Sequence, residues 1–337
     1  MSDNNPPSLI RRMREAIEVD LKRSIEWLDS EQYPELAHMI SYHMGWKNQA
    51  HSRGKRLRPM LTLLSCAGVG ANWEIALPAA SAVELVHSFS LVHDDIQDQS
   101  ETRRGRLTLW KLWGLAQALN TGDTIFTLAR LASYRLVKVG NSYETTLDAQ
   151  RILDHACLQL TQGQHLDLAY ETKENVTISD YIRMIEGKTS ALLSAASAIG
   201  AHIAGASDPV VEAYRSFGHN LGLAFQIEDD ILGIWGKSNL TGKPAGDDLL
   251  RRKKTLPTLY GLENSTTFSR LFLQENDDVD LLDMVAALDE VGAHQHARSL
   301  AQHHTDLALS ALKEAAPMNP SGGELKRLSL LLLQRQT

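Results

Sequence analysis

The sequence predicts an all-α chain, and three observations carry the prediction. Apolar residues recur every three or four positions through most of its length, almost no stretch alternates with period two, and no strand–helix–strand rhythm is present. With 337 residues and no long low-complexity linker, one domain is expected from residue 9 to residue 337, behind a polar, proline-bearing tail at residues 1–8. Hydrophobic residues at 43% and charged residues at 22% point to neither a disordered nor a membrane-embedded class. A net charge of −7 argues against general nucleic-acid binding. The two cysteines, Cys66 and Cys157, cannot build a disulfide framework, so a reducing cytoplasm is the expected compartment. The longest weakly polar run, residues 191–206, is interrupted by Ser and His, and no membrane span is expected.

Taken in order, Ile10, Met13, Ile17, Leu21, Ile25 and Leu28 outline one helical face between Leu9 and about Lys47. A basic cluster follows, Arg53-Gly54-Lys55-Arg56-Leu57-Arg58-Pro59. Its glycine turn and its proline near a helix start place cations where backbone N–H groups already favour anions. Pro78 opens a helix that runs through Val83, Val86, Phe89 and Ser90 to Asp94-Asp95-Ile96-Gln97-Asp98. Glu101-Thr102-Arg103-Arg104-Gly105-Arg106 comes next, with Gly105 expected to terminate a helix. Periodicity resumes over residues 109–139 and 147–169, the second stretch carrying Gln164 and Asp167 on one face.

A further helix spans residues 181–206 around Gly187-Lys188-Thr189, where a lysine among small apolar residues calls for an anion. Asp208-Pro209 starts another, which reaches Gln226-Ile227-Glu228-Asp229-Asp230 and is expected to close at Gly233 and Gly236. Lys243 then lies in a Gly/Pro loop ahead of Arg251-Arg252-Lys253-Lys254. From about Leu271 to Gln336 the chain reads as helical. His294, His296, His303 and His304 in that stretch suit a solvated helix face better than a metal cluster.

Asp94 and Asp98 stand four apart, so one helix face carries both, with Asp95 beside them, at the end where the macrodipole disfavours negative charge. Oxygen donors without His or Cys suit a hard cation, and Mg²⁺ takes one or two carboxylates together with waters and substrate phosphates. One such cluster alone reads equally well as a solvated acidic helix end. A second helix of the same grammar, ending at Asp229-Asp230, and basic segments after both make a metal-bridged diphosphate the natural ligand. Apolar walls leading away from the acids point to a hydrocarbon remainder, hence to a prenyl diphosphate.

These pieces resemble the trans-isoprenyl diphosphate synthases, the polyprenyl synthetase family, over nearly the whole chain. The matching motifs are Gly54-Lys55-Arg56-Leu57-Arg58-Pro59, Leu91 to Asp98 with Arg103-Arg104-Gly105, Gly163-Gln164 with Asp167, Lys188-Thr189, Phe225-Gln226 with Asp229-Asp230, and Gly242-Lys243 followed by Lys253. The resemblance implies an antiparallel helical bundle of the isoprenoid synthase type with a central cavity, acting as a homodimer. It implies condensation of isopentenyl diphosphate with an allylic diphosphate held by three Mg²⁺ ions. Asp94 and Asp98 would ligate from one helix and Asp229 from the other, with Asp95, Asp167 and Asp230 as near neighbours or water-mediated ligands. Arg103, Lys188, Lys243 and Lys253 would grip the allylic diphosphate, and Lys55, Arg58, His87 and Arg104 would hold isopentenyl diphosphate. Thr189 and Gln226 would steady the carbocation alongside Lys188.

Ser90 and Phe89 stand four and five positions before Asp94, just over one turn below the metals, with Val86 a turn further down. In the resembling family two bulky residues there favour a C15 product and one aromatic at the fifth position favours C20, so geranylgeranyl diphosphate is expected. Farnesyl diphosphate is the alternative product. A class I terpene cyclase, or a noncatalytic subunit of a heteromeric synthase, is the alternative role. One departure from the family pattern is Gly233, where the second acid motif usually ends in Asp.

Overall fold

The computed structural model describes residues 8–46, 54–236, 246–274 and 280–333. The chain is helical almost throughout and divides into two compact units. The first comprises Met1–Asp154, Ala195–Tyr214 and Ala315–Leu325, and the second His155–Ser194, Arg215–Glu314 and Lys326–Thr337.

In the first unit α1 (Leu9–Ile25) buries Met13, Ile17 and Leu21, the face expected from the periodicity. The expected continuous helix breaks before α2 (Pro34–His43). Pro34 pushes Tyr33 out of the helical region, and Asp29 Oδ1 accepts from the backbone N–H groups of Glu31 and Gln32 to shape the turn. α3 (Leu57–Val69) leads through a short 3₁₀ turn into α4 (Leu77–Gln97), whose Pro78 sits in the first turn. Small residues along α4, among them Ala79, Ala80 and Ala82, let it pack closely, and almost its whole length is buried. Residues 73–97, not 191–206, make the one described helical stretch long and apolar enough to cross a membrane; 72% of its most apolar window is buried, as in a core helix.

After α4 come two-residue strands β1 (Thr102–Arg103) and β2 (Arg106–Leu107), paired antiparallel. Arg104 (φ 53°) and Gly105 (φ 71°) make the two-residue turn between them. Both central residues have positive φ, the geometry that matches the twist of a short hairpin, so Gly105 turns a hairpin instead of ending a helix. α5 (Leu109–Trp113) and α6 (Leu115–Tyr134) follow, with α6 lying along α4. Gly122 of α6 allows this approach, because an added Cβ would overlap the His93 imidazole.

α7 (Tyr143–Thr172), α8 (Ile178–Ile185), one turn of π-helix (Glu186–Ser190), α9 (Ala191–Ile203) and α10 (Asp208–Trp235) continue the chain. In the second unit Leu223, Ile227 and Ile231 of α10 pack with Tyr181, Ile185, Leu256 and Leu259. α10 runs through Gly233 to Trp235 instead of stopping at the glycine, because nothing at 233 caps the helix and Ile231 and Ile234 on either side are buried. Then follow α11 (Asp247–Leu250), α12 (Leu256–Asn264), α13 (Thr266–Leu273), α14 (Leu281–Glu290), α15 (Ala293–Ala315) and α16 (Ser321–Leu333). Three of the four C-terminal histidines are half-buried, against the solvated face expected. His294 lies 4.5 Å from the Trp235 ring, His296 stacks on Tyr260 at 4.2 Å, and His304 Nδ1 is 3.0 Å from Asn220 Oδ1.

A buried polar knot ties α1 to the end of α6. Arg135 donates to Asp20 through both Nη atoms, at 2.9 and 2.8 Å, and to Ser24 Oγ at 2.7 Å, while Ser81 of α4 donates to Asp20 Oδ2 at 2.7 Å. Arg135→Leu would leave the Asp20 charge buried and unpaired, and should cost about 3–5 kcal/mol. Urea denaturation checks this, and adding Asp20→Leu should return most of the loss.

Candidate active site

In the first unit the acids close α4. Asp95 is buried, Asp94 half-buried, and Asp98, the helix C-cap, exposed. The hairpin lays Arg103 across them: Nε donates to Asp95 Oδ1 at 2.7 Å and Nη2 to Asp94 Oδ2 at 3.2 Å. Burial pushes the Asp95 carboxyl up to about 6, Arg103 opposes the shift, and the charges of Asp94 and Asp98 add to it. The donors at this helix end are hard oxygens, the type that suits Mg²⁺, while among the described residues no three of them converge as an ion's ligand set.

The same unit brings a basic pocket together. Arg58 Nη1 lies 3.2 Å from His87 Nε2. Burial, followed by the charges of Arg58 and Arg104, lowers the His87 pKa well below the usual imidazole range. The ring is therefore neutral and accepts from Arg58 at Nε2, leaving its proton on Nδ1. Gly54 (φ +73°) lets the Arg104 guanidinium lie against the backbone, since an added Cβ would stand 2.7 Å from Nη1. Lys55, the fourth predicted member, is exposed. His43, Asp95, Arg103, Arg104 and Arg106 line one small cleft here. Below the acids, Val86 and Phe89 are buried and Ser90 donates to the His87 carbonyl at 2.9 Å. The Phe89 ring meets Phe126 of α6 edge-on at 4.9 Å.

In the second unit the π-helical turn presents Lys188 and Thr189. Gly163 and Gly187 make this possible by letting α7 and the turn touch through backbone atoms. Lys188 Nζ donates to Asp167 Oδ2, so the anion that the lysine calls for is supplied from within the chain. Thr189 Oγ1 donates to Gln226 Oε1 at 2.6 Å, and Gln226 Nε2 donates to Asp230 Oδ1 at 3.0 Å. Tyr181 donates to Asp230 Oδ2 at 2.5 Å, and the Leu256 N–H reaches the same atom at 3.4 Å. Asp230 is buried, which pushes its carboxyl up to about 6 against the pull of Lys253, and both its oxygens are engaged by protein. Asp229 beside it is half-buried, and Lys253 is exposed. Lys243 lies outside the described residues.

The polyprenyl synthetase family pattern matches residues 41–288. This chain belongs to the polyprenyl synthetase family. It is 38% identical to the geranylgeranyl diphosphate synthase of Mycobacterium tuberculosis, over 98% of this chain and 94% of that protein. It is 34% identical to the (2E,6E)-farnesyl diphosphate synthase of Mycobacterium bovis, over 96% and 91% of the two chains. The crystal structure of geranylgeranyl pyrophosphate synthetase from Pyrococcus horikoshii superposes with a TM-score of 0.88 at 31% identity, covering 97% of this chain and 98% of that one. The all-α isoprenoid synthase fold and the prenyltransferase class follow from these matches.

Some residues of this polyprenyl synthetase site escape sequence reasoning. Arg56 is buried and holds Glu18 and Glu84, each at 2.8 Å, so this member of the basic cluster is structural. The signal was its left-handed N-cap geometry, which no pattern of residue types shows. Tyr181 begins an apolar run and gives no hint of its bond to Asp230. His43 and Arg106 reach the basic cleft only through the hairpin, where Arg106 donates to the Tyr42 carbonyl at 2.8 Å and Tyr42 donates to the Leu107 carbonyl at 2.9 Å.

His43 and His87 give the site a pH signature. Burial and the nearby arginines bring the His43 pKa down to about 3, and His87 is likewise lowered. Below a pH of about 6.5 the unfolded chain takes up protons that these folded rings refuse, so their contribution to stability falls as pH drops. The stability difference between wild type and His87→Gln should accordingly shrink between pH 7.5 and pH 5.5. Urea midpoints measured at the two pH values check this, and ¹⁵N imidazole shifts should show both rings still neutral at pH 5.5.

Proposed function

We propose that this chain condenses isopentenyl diphosphate with an allylic diphosphate and ends at geranylgeranyl diphosphate, C20. The observation that carries the reading is the pairing, within one unit, of an acid cluster that calls for metal with a separate basic pocket built on Arg58, His87 and Arg104. A cyclase needs one diphosphate site, whereas chain elongation needs two.

Asp94, Asp98 and Asp229 would hold Mg²⁺, three ions in the proposal, which would supply positive charge against the leaving pyrophosphate. Arg103 is already aligned by Asp94 and Asp95, and Lys188 by Asp167, so both cations meet the allylic diphosphate with little reorganisation. Lys253 and Lys243 complete that grip. Breaking the allylic C–O bond leaves a carbocation. The double bond of isopentenyl diphosphate, held by Lys55, Arg58, His87 and Arg104, attacks it, and the departing pyrophosphate takes the proton lost from the new adduct. Thr189 and Gln226 form one hydrogen-bonded chain with Asp230, and so offer fixed dipoles to the cation. The neutral His87 suits an anion site by donating through Nδ1.

Homodimer assembly, one continuous domain over residues 9–337 and a cytoplasmic location belong to the same proposal. The exposed apolar residues Leu112, Leu115 and Leu119 support an interface between copies, and the two buried free thiols support a reducing compartment.

Incubating the purified chain with Mg²⁺, radiolabelled isopentenyl diphosphate and each allylic primer in turn should yield a labelled C20 product. Failure to release pyrophosphate with any primer would overturn the reading, and a C15 end point would correct the product. Ser90→Phe should shorten the product and Phe89→Ala lengthen it. Chromatography of the dephosphorylated alcohols checks both; no change in either would remove Val86, Phe89 and Ser90 as the floor.

A further inference from the structure

The hydrogen bonds around Gln226 have a fixed direction, and a residue outside the sequence motifs fixes it. Tyr181 of α8 donates to Asp230 Oδ2 at 2.5 Å, Gln226 Nε2 donates to Asp230 Oδ1 at 3.0 Å, and Thr189 Oγ1 donates to Gln226 Oε1 at 2.6 Å. All four residues belong to the second unit. An amide side chain can turn over with little change of shape, exchanging its carbonyl for its NH₂ group. A carboxylate oxygen only accepts, so Asp230 selects the NH₂ end of Gln226 and leaves the carbonyl for Thr189. The single hydroxyl proton of Thr189 then goes to Gln226. What remains on its oxygen for any other neighbour is lone pairs.

This order holds while the Asp230 carboxylate keeps one rotation. The Leu256 N–H, in the first turn of α12, reaches Oδ2 at 3.4 Å, a weak hold, so the short bond from Tyr181 carries most of the restraint. Tyr181 is suited to the task because its ring is buried among Ile185, Leu223, Ile227, Ile231 and Leu256, where packing leaves it no other position. Thr189 follows on the same segment, in the π-helical turn that continues α8. Both ends of the relay are therefore anchored to one stretch of backbone.

We propose that Tyr181 is a positioning residue for allylic ionisation: through Asp230 and Gln226 it turns the oxygen lone pairs of Thr189, and not its proton, toward the cation. In that step the allylic C–O bond breaks, its electron pair leaves with pyrophosphate, and the positive carbon left behind is stabilised by a lone pair and destabilised by a proton in the same place. Losing the tyrosine hydroxyl frees Asp230 to rotate and Gln226 to turn over. Thr189 then accepts from the amide and presents its hydrogen instead. The inference rests on the reading of Thr189 and Gln226 as groups that face the cation.

Tyr181→Phe keeps the ring and removes only the hydroxyl. In steady-state kinetics with farnesyl diphosphate, isopentenyl diphosphate and Mg²⁺ it should lower kcat about 10-fold, the scale for losing a group that orients an active-site residue, with both KM values and the half-maximal Mg²⁺ concentration within about 2-fold of wild type. In a Thr189→Val background, which has no hydroxyl to orient, adding Tyr181→Phe should lower kcat no further. An additive loss in that background overturns the inference, as does an unchanged kcat in Tyr181→Phe alone or a raised Mg²⁺ requirement that accounts for the loss. A lower melting temperature with the kcat of the folded enzyme unmoved assigns a structural role and overturns it too. In the wild type, the Gln226 side-chain NH₂ signals, assigned by their loss in Gln226→Leu, should exchange slowly with solvent. Fast exchange overturns the fixed amide even where no Tyr181 variant folds. A wild-type enzyme that turns over neither farnesyl diphosphate nor a shorter allylic primer would overturn the condensation reading, and the inference with it.

Discussion

One guanidinium bonded to two carboxylates, Arg103 to Asp94 and Asp95, sets the geometry of the first acid cluster, and much of the surrounding chain serves to keep that contact. Like charges about 5 Å apart repel by roughly 3 kcal/mol at an effective dielectric constant near 20, so adjacent acids at a helix C-terminus would splay or protonate unless something held them. α4 carries no lysine or arginine that could hold them. The chain turns back instead. Two short strands and a turn with positive φ at Arg104 and Gly105 return Arg103 to the helix end, and Tyr42 and Arg106 fasten the hairpin to the end of α2. The same turn throws Arg104 onto Gly54, so one hairpin places one cation at the acid cluster and another in the basic pocket.

The second cluster solves the same problem with dipoles. Asp230 takes hydrogen bonds from Tyr181, Gln226 and the Leu256 N–H, and only Lys253 offers it a formal charge among the groups that lower its pKa. Neutral donors fix a carboxylate without cancelling its charge, so the cluster stays electronegative. Asp95 is bonded to the Arg103 side chain, whereas Asp230 is bonded from three elements. This difference fixes the Gln226 side chain and the helix end that carries Asp229 beside it.

The fold class and most helices were legible in the sequence because they depend on periodicity, which is local. The Met13, Ile17, Leu21 stripe and the start of α4 at Pro78 came out as the pattern required. Nearly all the charged residues of both clusters were legible too, since acids at the end of an apolar run are conspicuous. What could not be read was partnership. Arg56 and Arg58 are two positions apart in one basic run, yet Arg56 is consumed by Glu18 and Glu84 while Arg58 meets His87. Asp167, which the resemblance implies as a near neighbour or water-mediated ligand of the metals, accepts from Lys188 in the folded chain. The sequence separations of these contacts run from 21 to 38 residues, beyond any spacing rule.

Two glycines were misread, and for one reason. Gly105 and Gly233 look like helix stops, because a glycine after an apolar run commonly ends a helix in the left-handed conformation. That inference uses what glycine can do with its backbone. At Gly163, Gly187 and Gly233 the structure uses what glycine lacks, a Cβ, so that α7 can touch the lysine-bearing turn and the Asp248 carboxylate can lie against α10. The helix continues through each of these positions. A helix that yields space without breaking keeps the residues on it rigid, so the acids of α10 hold their places while a neighbouring element reaches in. Polar groups from different elements can then converge at spacings that no single helix could present. At Gly163 and Gly233 the missing Cβ therefore marks where a charged residue arrives from another element.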